Sequence, residues 1–292
     1  MQKCCPICQT DTLVPALHIL DYFLTQEEFD ILQCTNCEVL ITQPFPSADK
    51  MGLYYDSGEY FSHGGNNKGL IPKVYNFIKE VNIKNKYKQV TRDLTIGKVL
   101  DIGCGIGDFL GYCKKAGWKV SGLEPNEQAR KMVLKNFQIE AEDVSKISSM
   151  AEDQFDLVTL FHVLEHVAEP KNMVSEILRI LKPGGRLVIA LPNNASWDAK
   201  YYVEYWAAWD VPRHLFHFNP KSISFFMNRF PLKEEMIKPM VWDAFYVSLL
   251  SEKFKGKSMP LARAAFRGVY SNWKANQTGN YSSLMYFYRK PI

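Results

Sequence analysis

Lys98 to Asp108 reads KVLDIGCGIGD: an apolar run carrying Asp101, then glycine at every second position, Gly103, Gly105 and Gly107. The run suits a buried parallel strand, and glycines without a Cβ let the main chain turn sharply and approach a bound molecule. Trp118 to Glu124, WKVSGLE, reads as a second short strand ending on an acid. That acid falls roughly 20 residues past the first glycine, the spacing of a nucleoside-binding βαβ unit, where Glu124 would accept both ribose hydroxyls. A dinucleotide fingerprint begun at Gly103 would need glycine at 108, where Asp108 stands. An acid at that helix N-terminus would repel a pyrophosphate. Asp101 and Asp108 instead suit a ligand with a sulfonium and an ammonium and no phosphate, which is S-adenosylmethionine.

Two other groups of residues can do chemistry. His162, Glu165 and His166 stand at i, i+3 and i+4, so a helical turn would turn all three to one side of a cleft. Imidazoles near neutral pH are natural bases for deprotonating an acceptor. Farther on, Trp197, Trp206 and Trp209 precede Asp210, Arg213, His214 and His217. The aromatic patch is a wall for a small apolar or ring-shaped acceptor, and charge beside it should be paired or poised. His166, His162, His214 and Asp210 are the expected catalytic groups. Against this stands the plain alternative that these rings pack a core and that His166 only fixes a loop.

At the N-terminus, CCPIC at 4 to 8 and CTNC at 34 to 37 form two C-x-x-C hooks, the spacing of a Cys4 zinc ribbon. Cys5, Cys8, Cys34 and Cys37 are the expected ligands of a structural zinc, although Cys4 can replace Cys5 with one more residue in the knuckle. A disulfide pair is the rival, disfavoured in a reducing compartment.

Taken together, Asp101, Gly103, Gly105, Gly107 and Glu124 meet the pattern D-x-G-x-G-x-G followed by a ribose-binding acid, and the chain here resembles the class I methyltransferases. The resemblance extends through LEPN (Leu123 to Asn126), FDLVTLFHVLEHV (Phe155 to Val167) and LKPGGRLVIALPN (Leu181 to Asn193). It implies an α/β fold, a doubly wound, seven-stranded, mostly parallel sheet, here preceded by a small zinc-ribbon-like domain. It also implies cofactor contacts at Asp101, Gly103, Cys104, Gly105, Gly107, Glu124, Pro125, Asn126, Phe161 and His162, with Glu142 or Asp143 holding the adenine amino group. Some quinone O-methyltransferases of this group carry an acid-x-x-acid-His set that holds a divalent cation; here His162 replaces the first acid, which argues against a metal. The ribbon resembles that of sugar C-methyltransferases, which continue into a further domain. DVPRHLFHF (Asp210 to Phe218) is similar to a segment of bacterial methyltransferases of this group.

These motifs sit in a chain of 292 residues, long enough for one large domain with appendages. Residues 1 to 46 read as the cysteine module, 47 to 94 as linker and helical lid, and 95 to 292 as the cofactor domain with insertions at 193 to 220 and 242 to 279. In the linker, Tyr54, Tyr55, Tyr60, Phe61 and His63 are expected to pack the ribbon or form a lid, before a helix with apolar positions at Val74, Phe77, Ile78 and Val81. Strands are expected at Gln138 to Asp143, Gln154 to Leu160, Arg186 to Ala190, Leu232 to Val241 and Tyr281 to Arg289, with KPGG at 182 to 185 as a helix stop.

Net charge is +4, too mild for a nucleic-acid binder, and the basic run NIKNKYKQ at 82 to 89 reads as an exposed helix face. Neither a signal-like leader nor a run of about 18 apolar residues is present, so the expectation is a cytoplasmic protein acting on a small-molecule acceptor. The basic and apolar faces of the second insertion favour a homodimer contact or a lid over a membrane-surface patch. The competing reading is a non-catalytic nucleoside fold that docks a partner through the ribbon, distinguishable by turnover. A dehydrogenase comes third, opposed by Asp108.

Overall fold

A computed structural model describes residues 4–55 and 70–292, without the side chains of 48, 49 and 70–79. The expected contacts of Tyr60, Phe61 and His63 therefore lie outside the described residues, as do those of Val74, Phe77 and Ile78.

The main sheet is built from strands whose alternate residues are apolar on both sides, which demands cover on both faces. In β4 (Lys98–Ile102), Leu100 and Ile102 enter one core while Val99 enters the other. β7 (Phe155–Phe161) and β8 (Leu181–Pro192) divide likewise, with Val158, Leu160, Leu187 and Ile189 on one face and Leu157 and Val188 opposite. β5 (Lys119–Leu123), the two-residue β6 (Ala141–Glu142), β10 (Lys233–Pro239) and β11 (Ser283–Arg289) complete the order β10-β11-β8-β7-β4-β5-β6. Strands β4 to β8 pair in parallel, whereas β11 runs antiparallel to both β8 and β10.

Chain order reverses at β4, which lies between β5 and β7, and ligands of doubly wound sheets bind outside the carboxyl ends at such a point. Helices α3 (Asp108–Lys115), α4 (Glu127–Phe137) and α5 (Pro170–Ile180) follow β4, β5 and β7. One expectation is corrected here. KPGG is not a helix stop ahead of the strand, because α5 ends at Ile180 and β8 begins at Leu181. Lys182 to Gly185 instead form a bulge between the pairs Phe155–Leu181 and Leu157–Arg186, with Gly184 N donating to Lys290 O.

The N-terminal strands β1 (Leu13–Leu20), β2 (Glu28–Cys34) and β3 (Leu40–Gln43) form an antiparallel sheet whose fourth strand, β9 (Phe216–His217), comes from the 193 to 220 insertion. A buried ion pair ties the two further: Arg213 Nη2 reaches Asp21 Oδ1 at 2.7 Å. The short α1 (Ala48–Met51) and then α2 (Leu70–Val90) lead into β4. α6 (Trp197–Tyr202) opens the first insertion and α7 (Pro220–Met227) follows it, entered by an Asn219–Ser222 capping box. The second insertion is the helix pair α8 (Asp243–Phe254) and α9 (Pro260–Thr278), between β10 and β11.

Candidate functional site

The turn after β4 is shaped by left-handed glycines at 103, 105 and 107. A Cβ at Gly103 would strike Val163 at 2.4 Å, so that glycine serves close packing. A Cβ at Gly105 would meet nothing within 4 Å, which makes Gly105, at φ 52°, the open lip of the turn where a ligand can approach the main chain. Facing it, Glu124 leaves the tip of β5 and accepts hydrogen bonds from Gly105 N (2.8 Å) and Asn126 N (3.0 Å). Burial raises its pKa, while those two amides work in the opposite direction. Asn126 in turn caps α4 by accepting from Ala129 N, and Arg130 Nη1 donates to the carbonyls of Glu124 and Pro125. Asp143 accepts from Ser145 N and Oγ and lies 3.4 Å from Arg130. Cys104 is buried beside the turn.

Asp101 is buried, and its Oδ1 accepts from Thr159 Oγ1 at 2.6 Å. Burial pushes its pKa up to about 7, against the pull of that hydroxyl and of Lys86. Lys86 overturns the reading of 82 to 89 as a uniformly exposed face. It is half-buried, with its ammonium 4.0 Å from the centre of the Phe161 ring. Its pKa is lowered by burial, while Asp243, Asp101 and Asp108 act to hold its charge. Phe161 also meets Phe109 edge to face at 5.0 Å.

At the end of β7 the chain turns through His162 at φ 57° and a short 3-10 turn, Leu164–His166, which brings His162, Glu165 and His166 together without an α-helix. His162 Nε2 lies 3.1 Å from Asp243 Oδ2, and Nδ1 lies 3.6 Å from Glu165 Oε1. Burial alone would lower its pKa, but the two carboxylates outweigh that and raise it to about 9. His162 is thus a cation at neutral pH. His166 is opposite in character, because burial and the neighbouring His214 lower it to about 4. Its Nδ1 is 2.9 Å from the Arg213 carbonyl oxygen, which can only accept, so Nδ1 carries the proton and Nε2 the lone pair. Tyr55 Oη stands 2.8 Å from the same Nδ1. His214 Nδ1 is fixed in the same way by Ala208 O at 2.9 Å.

Glu165 sits among these rings, fully buried, and neither of its carboxylate oxygens accepts a hydrogen bond. Burial would raise its pKa, yet His162, His214 and His166 together hold it below the usual carboxylate range. Glu165, His166 and His214 each offer one donor atom, all within 4.8 Å of one another. Asp210 is engaged with Arg213 at 2.8 Å. Trp206 and Trp209 are buried with their indole N–H groups donated to Asp198 and Val203 O. Trp206 packs with Glu165, His214 and Phe216 around a gap too tight to admit a water molecule.

Sequence reasoning missed Lys86, Thr159 and Asp243. Thr159 was the most accessible to it, as a polar residue between Val158 and Leu160 in the middle of an otherwise apolar stretch of strand. The other two carry no local signal.

Apart from this cleft, Cys5, Cys8, Cys34 and Cys37 converge, with sulfur pairs at 3.6 Å (Cys5–Cys37) and 3.4 Å (Cys8–Cys34). A Zn–S bond of about 2.3 Å implies a tetrahedral edge of roughly 3.8 Å, so the four thiols fit that ion. Cys4 lies outside this group of four.

A family model described as a methyltransferase domain matches residues 75–233, more than half of the chain. The ubiquinone biosynthesis O-methyltransferase of Idiomarina loihiensis is 29% identical over 53% of this chain and 70% of its own length. The enzyme of the same name from Thiobacillus denitrificans is 31% identical over 43% of this chain and 56% of its own. In fold, the chain is similar to the phosphoethanolamine N-methyltransferase 2 of Haemonchus contortus. That match has a TM-score of 0.55 and 19% identity, and covers 87% of this chain and 62% of the other. With the acids at the glycine turn and the reversal of strand order at β4, the chain belongs to the methyltransferase-domain family and is a class I S-adenosylmethionine-dependent methyltransferase.

Proposed function

We propose that the chain methylates a hydroxyl oxygen of a lipophilic ring compound. The observation that carries this reading is the Glu165–His166–His214 corner at the carboxyl end of β7, packed against the aromatic rings of Trp206 and Phe216. The names of the similar quinone-pathway O-methyltransferases support it. The acceptor oxygen attacks the methyl carbon in line with the carbon–sulfur bond. The bond's electron pair returns to sulfur, giving S-adenosylhomocysteine, and the hydroxyl proton passes to His166 Nε2. Because the sulfonium already activates the methyl group, positioning does most of the work.

Glu124 takes the ribose, and Asp101 the ammonium of the methionyl end. Lys86, the cation beside Asp101 and Phe161, is suited to that end's carboxylate. His162 is excluded as the base by its pairing with Asp243, and it instead holds Glu165 ionised. The unbonded Glu165 carboxylate favours a second reading of the same corner. With two imidazoles it makes a donor set suited to a transition-metal ion that could orient the acceptor oxygen.

Incubation with methyl-labelled cofactor and prenylated catechols should label those acceptors, and sugar nucleotides and primary amines far less. Labelling of the amines alone would overturn the oxygen reading, and labelling of the sugar nucleotides alone would overturn the lipophilic ring. Tight cofactor binding with no acceptor labelled would favour the non-catalytic binding module.

We further propose that the cysteine module, residues 1 to 46, is held by a structural zinc. Cys5, Cys34 and Cys37 share one apolar core with Leu215 and Phe216 of the main chain, so the metal also braces the loop that carries His214. Metal analysis should find about one zinc per chain, and Cys34→Ser should abolish it. Losing even ~3 kcal/mol of metal-coupled folding energy would lower Tm by about 5 °C. Unchanged metal content and Tm would remove zinc from the account.

A further inference from the structure

α9 is amphipathic in the reverse of the usual sense. The residues it buries are small, Ala264, Gly268, Ser271 and Ala275, at helical spacings of four, three and four. They let α9 lie close on α8: a Cβ at Gly268 would meet the Phe245 ring at 2.5 Å. Its large apolar residues point outward, with Leu261 73%, Phe266 61%, Val269 60% and Trp273 50% exposed, next to Met259 at 73%. Ala262, Phe266, Val269 and Trp273 follow one another at four, three and four, a continuous stripe down a helix of 19 residues. A helix that must only support a fold places its large side chains inward. Among the described residues nothing covers this stripe, and a contiguous apolar face of this kind marks an interaction surface.

Charge selects the occupant. From Lys253 to Thr278 the chain has six lysines and arginines and no aspartate or glutamate. Arg263 is offset by Glu252, and Arg267 lies over Tyr201, but Lys257 is exposed just ahead of α9 and Lys274 lies beside Trp273 of the stripe. Two copies of this face would bring like charges together. A bilayer of anionic lipid would neutralise them while receiving the aromatic stripe, the combination expected of a helix lying in the membrane interface. We infer that α9 docks the protein onto anionic membrane surfaces. Through Asp243 at its N-terminus, α8 touches His162, so the docked helix pair would hold the proposed acceptor side of the cleft close to lipid-borne substrates.

The test is co-sedimentation of the full chain with phosphatidylcholine vesicles, with and without phosphatidylglycerol, at low and high salt. Binding should require phosphatidylglycerol, weaken as salt rises, and fall at least about tenfold in Phe266→Glu/Trp273→Glu and in Lys257→Glu/Lys274→Glu. Both variants should keep wild-type affinity for S-adenosylhomocysteine, which shows that they fold. Failure of the wild-type protein to bind, or equal binding by the variants, would overturn the inference. So would a concentration-dependent dimer abolished by Phe266→Glu/Trp273→Glu, since a second copy would then own the stripe. Vesicle binding is read without turnover, so its failure leaves methyl transfer untouched.

Discussion

Glu124→Ala should weaken binding of S-adenosylhomocysteine by about a hundredfold. Hydrogen bonds from ribose hydroxyls to a carboxylate contribute roughly 1.5–3 kcal/mol each, and losing two of them, partly replaced by water, leaves a deficit near 2.7 kcal/mol. Glu124→Gln keeps one acceptor oxygen and should lose about tenfold. The carboxylate also ties Gly105 N to Asn126 N, so the alanine variant loosens the turn as well as the ribose. Calorimetric titration checks both values, and affinities within about threefold of wild type would remove Glu124 from the cofactor site. The same titration repeated across pH reads Asp101. Its carboxyl is held near 7 in the free protein, and a bound ammonium requires the ionised form. Affinity should therefore fall by up to tenfold for each unit of pH below about 7 and level off above it. In Asp101→Asn that slope should vanish.

What could be read from the sequence was local. The glycine turn and Glu124 declare themselves because a strand, a turn and a helix fix the distance between residues close in the chain. The two cysteine hooks do so for the same reason, although only the folded chain leaves Cys4 outside the group of four. KPGG misleads because the residues that stop a helix also make a bulge, and the pairing of β8 with β7 decides between them. Lys86 is hidden because its neighbours in the chain are equally basic, and only the docking of α2 beside Phe161 turns it inward. The fourth strand of the small sheet is two residues long, and the Asp21–Arg213 pair is separated by 192 residues of sequence. No periodicity announces either. That pair has consequences for the site, because the carbonyl of Arg213 sets the tautomer of His166. The N-terminal sheet thereby acts on the proposed base across a long stretch of sequence.

His166→Ala should lower kcat by about a thousandfold while leaving cofactor affinity nearly unchanged, since a positioned base contributes on the order of 10² to 10⁴ and this ring lies on the acceptor side. Glu165→Gln should cost at least about a hundredfold, by removing the charge that faces any proton His166 takes up. The pH profile follows from the shifts. His166 is held near 4 and is effective only when neutral, so wild-type kcat should be flat from about 6 upward and fall only as pH drops toward 4. A base left near its ordinary value would instead show its inflection between 6 and 7. Dialysis against a chelator separates the two readings of this corner. With His166 acting alone as the base, activity survives dialysis under conditions that leave the cysteine module loaded. If a cation bridges Glu165, His166 and His214, activity is lost and returns with added metal, and Glu165→Gln raises the metal concentration needed for half-recovery. Retention of kcat within about threefold in His166→Ala would move the proton to His214, which packs edge to face on His166 and whose Nε2 lies 3.9 Å from Glu165 Oε1.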